Sequence, residues 1–260
     1  DHASDADYRK ETDVNEAPKH YIDIDNYTEF VLHGRIPQTF DSIIMVYGIE
    51  YVIGNGILPW AAKTTFDSLK ACFHQNTFSK AMYFASDLGH YVGDGHQPLH
   101  ITTYYDGRTQ SQHGIHSRYE TGMINDFNNE IIYPDDSAVY ITDVQGYIFS
   151  YLYNNYQYLD SILLADDYAQ ALAGNHNSTE YYNALWSRTR NFTIQLMRNA
   201  SFSLASLIYT AWVDAGSPST INEHGLNNAM LLQNTPNPFN SQTIIQFKVM
   251  KNNAKVSLKI

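Results

Sequence analysis

The sequence is poor in cysteine, in positive charge and in long apolar runs. Cys72 is the only cysteine among 260 residues, so no disulfide can form within the chain. The 16 Lys and Arg residues are outnumbered by 27 Asp and Glu, which gives a net charge of -11 and argues against a broad basic face that holds nucleic acid. No apolar run is long enough to span a bilayer, so we expect no stable membrane insertion.

Hydrophobic spacing predicts an all-α, multi-helix body. Apolar residues recur at intervals of three and four between Phe66 and Asp94 without an intervening proline, which predicts one or two helices there. Ser178-Thr179-Glu180 supplies a helix start signal. The other predicted helical segments begin near Ile115 or cover residues 141–172 and 179–214.

The pattern changes after about Asn228. A Pro-Asn-Pro turn is followed by alternating runs at 243–249 and 255–260, which predict β-strands. We therefore divide the chain into a body, residues 1–227, and a β appendage, residues 228–260. Two strands alone do not form a stable domain, so we expect the appendage to be the start of a truncated one.

This appendage resembles the type A C-terminal sorting domain of the type IX secretion system. The resemblance rests on Asn237-Pro238-Phe239-Asn240 followed by strands. It implies a secreted or cell-surface protein, contact between the tail and the secretion machinery, and removal of the tail. An ordinary β-hairpin is the alternative interpretation.

Histidine is abundant and clustered. Of the eleven histidines in the chain, five lie between His90 and His116. His90 and Asp94 are four residues apart and share one helix face, and His116 and Glu120 repeat this spacing. His100 follows a helix-ending proline and is expected to face the second pair. Imidazole and carboxylate ligands together indicate zinc.

These residues resemble the zinc-dependent phospholipase C and S1/P1 nuclease superfamily. Its pattern HxxGDxxQPxH is met by His90, Gly93, Asp94, Gln97, Pro98 and His100. The resemblance implies that His90 and Asp94 bind metal and that His100 belongs to a second zinc. The HSxYE segment of the phospholipase branch is matched by His116, Ser117, Tyr119 and Glu120.

The resemblance extends towards the N-terminus. His20-Tyr21-Ile22-Asp23 is similar to the superfamily's H-(F/Y)-I-D element and implies His20 as a zinc ligand. A further ligand, which would also orient the catalytic water, is implied at Asp5, with Asp7 as the alternative. Superfamily members begin with a Trp that helps to bind a third zinc; we expect the segment that carries it to be missing here. The implied ligands of two or three zinc ions are Asp5, His20, His90, Asp94, His100, His116 and Glu120.

The predicted function follows from these ligands. Clustered zinc ions lower the pKa of a bound water and neutralise developing negative charge. We therefore expect a secreted zinc-dependent hydrolase of phosphodiester bonds. A phospholipid substrate is favoured over single-stranded nucleic acid by the HSxYE match, and a non-catalytic secreted zinc-binding protein is the alternative of another class.

Overall fold

The computed structural model describes residues 2, 4–134, 136–218, 229–231 and 247–249, and it confirms an all-α body with a short β appendage. Short 3₁₀ turns at residues 17–20, 24–26, 98–100 and 128–130 connect the helices. The helices are α1 (Asp5–Arg9), α2 (Thr28–His33), α3 (Phe40–Tyr47), α4 (Ile49–Gly54), α5 (Leu58–His74), α6 (Phe78–Asp94), α7 (Ile115–Ser117), α8 (Ile124–Phe127), α9 (Val144–Tyr156), α10 (Leu159–Ala173) and α11 (Thr179–Asp214).

The predicted helical run that ends at Asp94 consists of the last part of α5 and all of α6. The chain turns between them at Asn76, whose φ of 55° lies in the left-handed region that a continuous helix cannot contain. Helix α6 ends at Asp94, and Pro98 begins the following 3₁₀ turn, where the missing N–H of proline costs no hydrogen bond. The metal-binding motif therefore lies at a helix end.

The longest helix is α11, with 36 residues and a length of about 54 Å. Its predicted start is confirmed, because the Ser178 side chain accepts a hydrogen bond from the backbone N–H of Tyr181 at 3.2 Å. Such a cap satisfies one of the N–H groups that a helix start leaves unpaired.

The hydrophobic core is divided into two clusters. The first joins α5, α6 and α9 through residues such as Phe66, Leu88 and Phe149. The second joins the chain around residues 115–123 to α10 and the first half of α11. Helix α11 belongs to both, since Leu185 lies in the second cluster and Leu207 in the first.

A buried polar network fixes the segment that carries His116 and Glu120. This segment runs from α7 through a π-helical stretch, Arg118–Met123, into α8. Arg118 Nη2 lies 2.9 Å from a carboxylate oxygen of Asp166, which is fully buried. The Arg118 Nε–H donates to the Tyr181 hydroxyl at 2.9 Å, and that hydroxyl donates to the same Asp166 oxygen. The network ties the segment to α10 and α11.

The appendage contains two short antiparallel strands, β1 (Ala229–Leu231) and β2 (Phe247–Val249), with Met230 opposite Lys248. The second strand forms the end of the predicted run at 243–249. The predicted strand at 255–260 lies outside the described residues. The division at residue 228 and the sorting-domain assignment stay predictions. Among the helices that the structure describes, none is both long enough and apolar enough to cross a membrane.

Candidate metal centre

A first group of ligating atoms is formed by four side chains from three separate segments. His20 Nδ1 lies 3.1 Å from both His90 Nε2 and Asp94 Oδ2. Asp7 Oδ1 lies 3.4 Å from His90 Nε2 and 3.7 Å from His20 Nδ1. His90 Nε2 and Asp94 Oδ2 are 3.6 Å apart. Asp7, His20 and His90 therefore place three ligating atoms within 3.7 Å of one another, and Asp94 Oδ2 lies within 3.6 Å of both histidine nitrogens.

The mutual separations of Asp7, His20 and His90 fit three edges of a tetrahedral zinc site. Ligands about 2.1 Å from a tetrahedral zinc ion are separated from one another by about 3.4 Å. The five distances of the first group range from 3.1 to 3.7 Å. Four of these contacts bring a histidine nitrogen to a carboxylate oxygen, and one brings two imidazole nitrogens together. The arrangement is therefore a candidate cation site.

A second group contains His100, His116 and Glu120. Glu120 Oε2 lies 3.3 Å from His100 Nε2 and 2.8 Å from His116 Nε2, and the two imidazole rings are 4.8 Å apart. The predicted i,i+4 pair of His116 and Glu120 therefore exists, although a π-helical stretch begins within it. Three ligands with room for a fourth are typical of a catalytic zinc site.

Backbone hydrogen bonds lock the two groups together. The His100 Nδ1–H donates to the carbonyl oxygen of His20 at 2.8 Å, which leaves its Nε2 free to bind a metal. In return, the Ile22 N–H donates to the carbonyl oxygen of His100 at 2.9 Å. Asp94 lies between the groups, because its second oxygen, Oδ1, is 3.5 Å from His100 Nδ1.

The Glu16 carboxylate lies next to Nε2 of His20, the ring nitrogen that does not face the other residues of the first group. Its carboxylate is almost fully buried and lies 3.6 Å from His20 Nε2, a ring nitrogen that forms no hydrogen bond with any described residue. Tyr91 and Lys19 donate to this carboxylate at 2.5 and 2.6 Å, and Arg9 donates at 3.1 Å. Burial raises the pKa of Glu16, but these three donors outweigh burial and lower it to about 2. Glu16 is therefore an anion beside His20, one of the predicted metal ligands.

The carboxylates among the proposed ligands carry negative charge, which attracts either a cation or a proton on the neighbouring imidazoles. Burial raises the pKa of Glu120, but the adjacent His100 and His116 hold it well below its usual range. Burial lowers the pKa of His100, whereas its hydrogen bond to Glu120 and the charges of Asp94 and Glu120 raise it to about 9. Burial raises the pKa of Asp7, but Lys10 and the two nearby histidines outweigh burial and lower it. The carboxylates of Asp7 and Glu120 are therefore ionised at neutral pH.

The structure brings together six of the predicted ligands and replaces the seventh. Asp5 lies outside both groups, with its Oδ2 2.7 Å from His2 Nδ1. Asp7, the alternative, joins His20 and His90. Residues two apart on a helix point about 200° away from each other, so only one of the two carboxylates in α1 can reach the site. The roles that the resemblance implies for Asp5 therefore move to Asp7.

A cavity of about 650 Å³ opens onto both groups. His90 and Asp94 of the first group and Glu120 of the second line it. A volume of this size is typical of a small-molecule site. The predicted metal ligands therefore face a space that can hold a small molecule.

The nearest arrangement to a serine nucleophile is the pair Ser203 and His96. Ser203 Oγ lies 3.4 Å from His96 Nε2, while the His96 Nδ1–H donates to the carbonyl oxygen of Val92 at 2.7 Å. Both side chains are buried, and a carbonyl stands where a triad has its carboxylate. Burial lowers the pKa of His96 to about 4, despite the hydrogen bond to Val92. This pair is unsuited to nucleophilic catalysis as it stands.

This chain is similar in sequence to part of a longer protein. A protein named a probable serine protease, from Bradyrhizobium tropiciagri, is 27% identical to this chain over 188 residues. The alignment covers 61% of this chain and 24% of the relative, so the chain spans about a quarter of the relative's length. No family model matches the chain, and membership of the zinc-dependent superfamily stays a prediction.

The similarity agrees with the prediction of an enzyme but contradicts the predicted reaction. The relative's name points to a protease, so the prediction of a zinc-dependent hydrolase of phosphodiester bonds is wrong by this comparison. Neither alternative, a nuclease or a non-catalytic zinc-binding protein, gains support from it. The physical reason is that a histidine and carboxylate motif specifies a metal and an activated water, whereas the bond attacked depends on the surrounding cavity.

Proposed function

We propose that this chain carries a two-site zinc centre that hydrolyses peptide bonds. The observation that supports the proposal is the first ligand group, in which the ligating atoms of Asp7, His20 and His90 lie within 3.7 Å of one another and Asp94 Oδ2 lies within 3.6 Å of both histidine nitrogens. The peptide substrate rests on the name of the relative. Zinc would be held by Asp7, His20, His90 and Asp94 in the first group and by His100, His116 and Glu120 in the second.

Each part of the centre has a distinct role in this proposal. Zinc supplies Lewis acidity and a water of lowered pKa. Asp7 is the most exposed carboxylate of the first group, at 47%, so it can accept a proton from a water molecule while the buried Asp94 stays fixed. Glu120, which lines the cavity, holds His100 and His116 in position. His20 keeps its orientation through Glu16 and its backbone contact with His100.

A second candidate is serine-type proteolysis, which the relative's name favours. Among the described residues, Ser203 is the serine whose hydroxyl contacts a histidine, and it would need both exposure and a carboxylate partner to act. The metal-dependent mechanism requires no such rearrangement.

The test begins with the zinc content of the purified chain. We expect two zinc ions per chain, and casein hydrolysis that 1,10-phenanthroline abolishes, that added zinc restores and that a fluorophosphonate leaves unchanged. The variant His90→Ala should no longer hold zinc at the first group. Its activity should fall by more than the roughly 10- to 100-fold that follows the loss of a residue that only supports a metal ligand. His74→Ala is the matched control, because His74 is an exposed histidine at the end of the neighbouring helix α5.

Three results would contradict the proposal. A chain without bound zinc would overturn the metal centre. Proteolysis that is blocked by the fluorophosphonate but not by the chelator would establish the serine mechanism. Hydrolysis of bis(p-nitrophenyl) phosphate without any hydrolysis of casein would overturn the peptide substrate while leaving the metal centre intact.

A further inference from the structure

The cavity beside the metal centre has one conspicuous chemical feature, which is an apolar wall. Its lining includes Ile124 together with Leu196, Met197 and Leu204 of α11. Leu204 also packs close to Gly89 of α6, where a Cβ added to the glycine would lie 3.1 Å from a Leu204 methyl group. Leu204 is therefore held against α6, and the apolar wall lies where α6 and α11 pack together.

Charge is confined to the metal side of this cavity. The described residues that line it include no Lys and no Arg, and their carboxylates are Asp94 and Glu120, which belong to the ligand groups. An acidic substituent would find no cation along the wall, and a basic one would lose water without gaining a partner there. An aliphatic or aromatic substituent gains affinity by leaving water.

We propose that this wall is a specificity site for an apolar side chain of the substrate, next to the bond that is cleaved. The inference rests on the proposed function, because it assumes that the carbonyl group of the cleaved peptide bond lies at the two ligand groups. Continuity supports it: the residues His90, Asp94 and Glu120 line the same cavity as Met197 and Leu204. A peptide held at the metal centre would thus direct one side chain against α11.

The experiment compares two hydroxamates on the zinc-loaded full chain by calorimetry. Acetohydroxamate and hexanohydroxamate offer zinc the same two oxygens but differ by four methylenes. Each methylene that leaves water raises the affinity about fourfold. Ordering the flexible alkyl chain offsets part of this gain, so we expect hexanohydroxamate to bind about 50-fold more tightly than acetohydroxamate. The zinc content is measured on the same samples.

Two variants on one helix locate the site. Met197→Asp should reduce the preference for hexanohydroxamate to less than about fivefold while leaving acetohydroxamate binding unchanged, because a charge in the wall opposes burial of methylenes. Gln195→Asp is the matched control, since Gln195 is exposed and does not line the cavity. If Met197→Asp does not fold, Met197→Gln introduces a polar side chain of nearly the same volume and should also weaken the preference.

The outcomes separate this inference from the function on which it rests. Equal affinity of the two hydroxamates for the unchanged chain, or a full preference in a folded Met197 variant, overturns the specificity site alone. If the chain takes up no zinc when zinc is supplied and binds neither hydroxamate, the metal centre and the specificity site are overturned together.

Discussion

The two ligand groups are built in different ways. The first draws residues from three separate elements between Asp7 and Asp94, whereas the second lies within the stretch 100–120. His20 and Asp94 of the first group have side chains that are 4% and 11% exposed, whereas the Glu120 side chain of the second is 44% exposed. The first group is thus assembled from distant parts of the chain, whereas the second combines one pair at helical spacing, His116 and Glu120, with His100 from the preceding 3₁₀ turn.

This difference teaches what each group depends on. The first is supported by backbone bonds from His100 and by the buried carboxylate of Glu16. The second depends on how the π-helical stretch is seated on α10 and α11, and Arg118 supplies that attachment. A change at one support should therefore affect one group more than the other.

The largest expected effect comes from Asp166→Ala, which removes the buried partner of Arg118. An unpaired buried charge costs about 3–5 kcal/mol, so urea denaturation should show a loss of stability in that range. Zinc binding by the second group should weaken, while the first group keeps its ion.

Asp160→Ala is the control for Asp166→Ala. Asp160 is on the same helix and its carboxylate is 69% exposed in an ion pair with Arg108; exposed pairs contribute about 1 kcal/mol or less. If Asp166→Ala weakened zinc binding equally at both groups while the protein remained folded, the separate supports would not exist.

The next effect is expected from Glu16→Gln, which keeps the shape of the side chain but removes its charge behind His20. Loss of an outer partner typically lowers metal affinity about 10- to 100-fold. Competition with a fluorescent zinc chelator should show this loss at the first group and no change at the second. Glu11→Gln, an exposed position earlier in the same segment, should change neither. Unaltered zinc affinity in Glu16→Gln would remove Glu16 from the support of His20.

The smallest effect concerns Asp23, close to the first group in sequence. Burial, together with the charge of Asp25, raises the pKa of Asp23 from 3.8 to about 6. Ionised Asp23 therefore disfavours the folded state, and the penalty is absent at pH 3, grows as the pH rises towards 6 and is full above it.

Asp23→Asn should consequently stabilise the protein by about 1 kcal/mol at pH 7, since partial exposure screens much of the penalty. Thermal unfolding at pH 7 and at pH 3 measures the gain, which should vanish at the lower pH. Asp41→Asn, at an exposed position on α3, should have no effect at either pH. A gain for Asp23→Asn that is equal at both pH values would show that ionisation is not its cause.

The sequence predicted best what depends on neighbouring residues. The start of α11 at Ser178 and the pairing of His116 with Glu120 are local, so spacing and capping rules identify them. The choice between Asp5 and Asp7 depends on which face of a one-turn helix meets α6, and spacing cannot decide that. Glu16 was missed, although it stands four residues before His20, the same interval that revealed the other pairs.

Long-range contacts and the substrate were beyond such rules. Arg118 and Asp166 are 48 residues apart, and spacing rules do not predict that the folded chain brings them together. A metal-ligand motif predicts how a water molecule would be activated, whereas the choice of substrate depends on the lining of the cavity, part of which comes from the distant helix α11. The motif therefore led to the wrong reaction.

The length of α11 has a consequence for how the body comes apart. One helix contributes Leu185 to one cluster and Leu207 to the other, with continuous helical hydrogen bonds between them. If one cluster unfolded alone, α11 would have to lose helical hydrogen bonds in one half while the other half stayed packed. Helix formation is cooperative, so each half of α11 stabilises the other. The two clusters are therefore coupled into a single cooperative unfolding unit, and both halves of the metal centre share its lifetime.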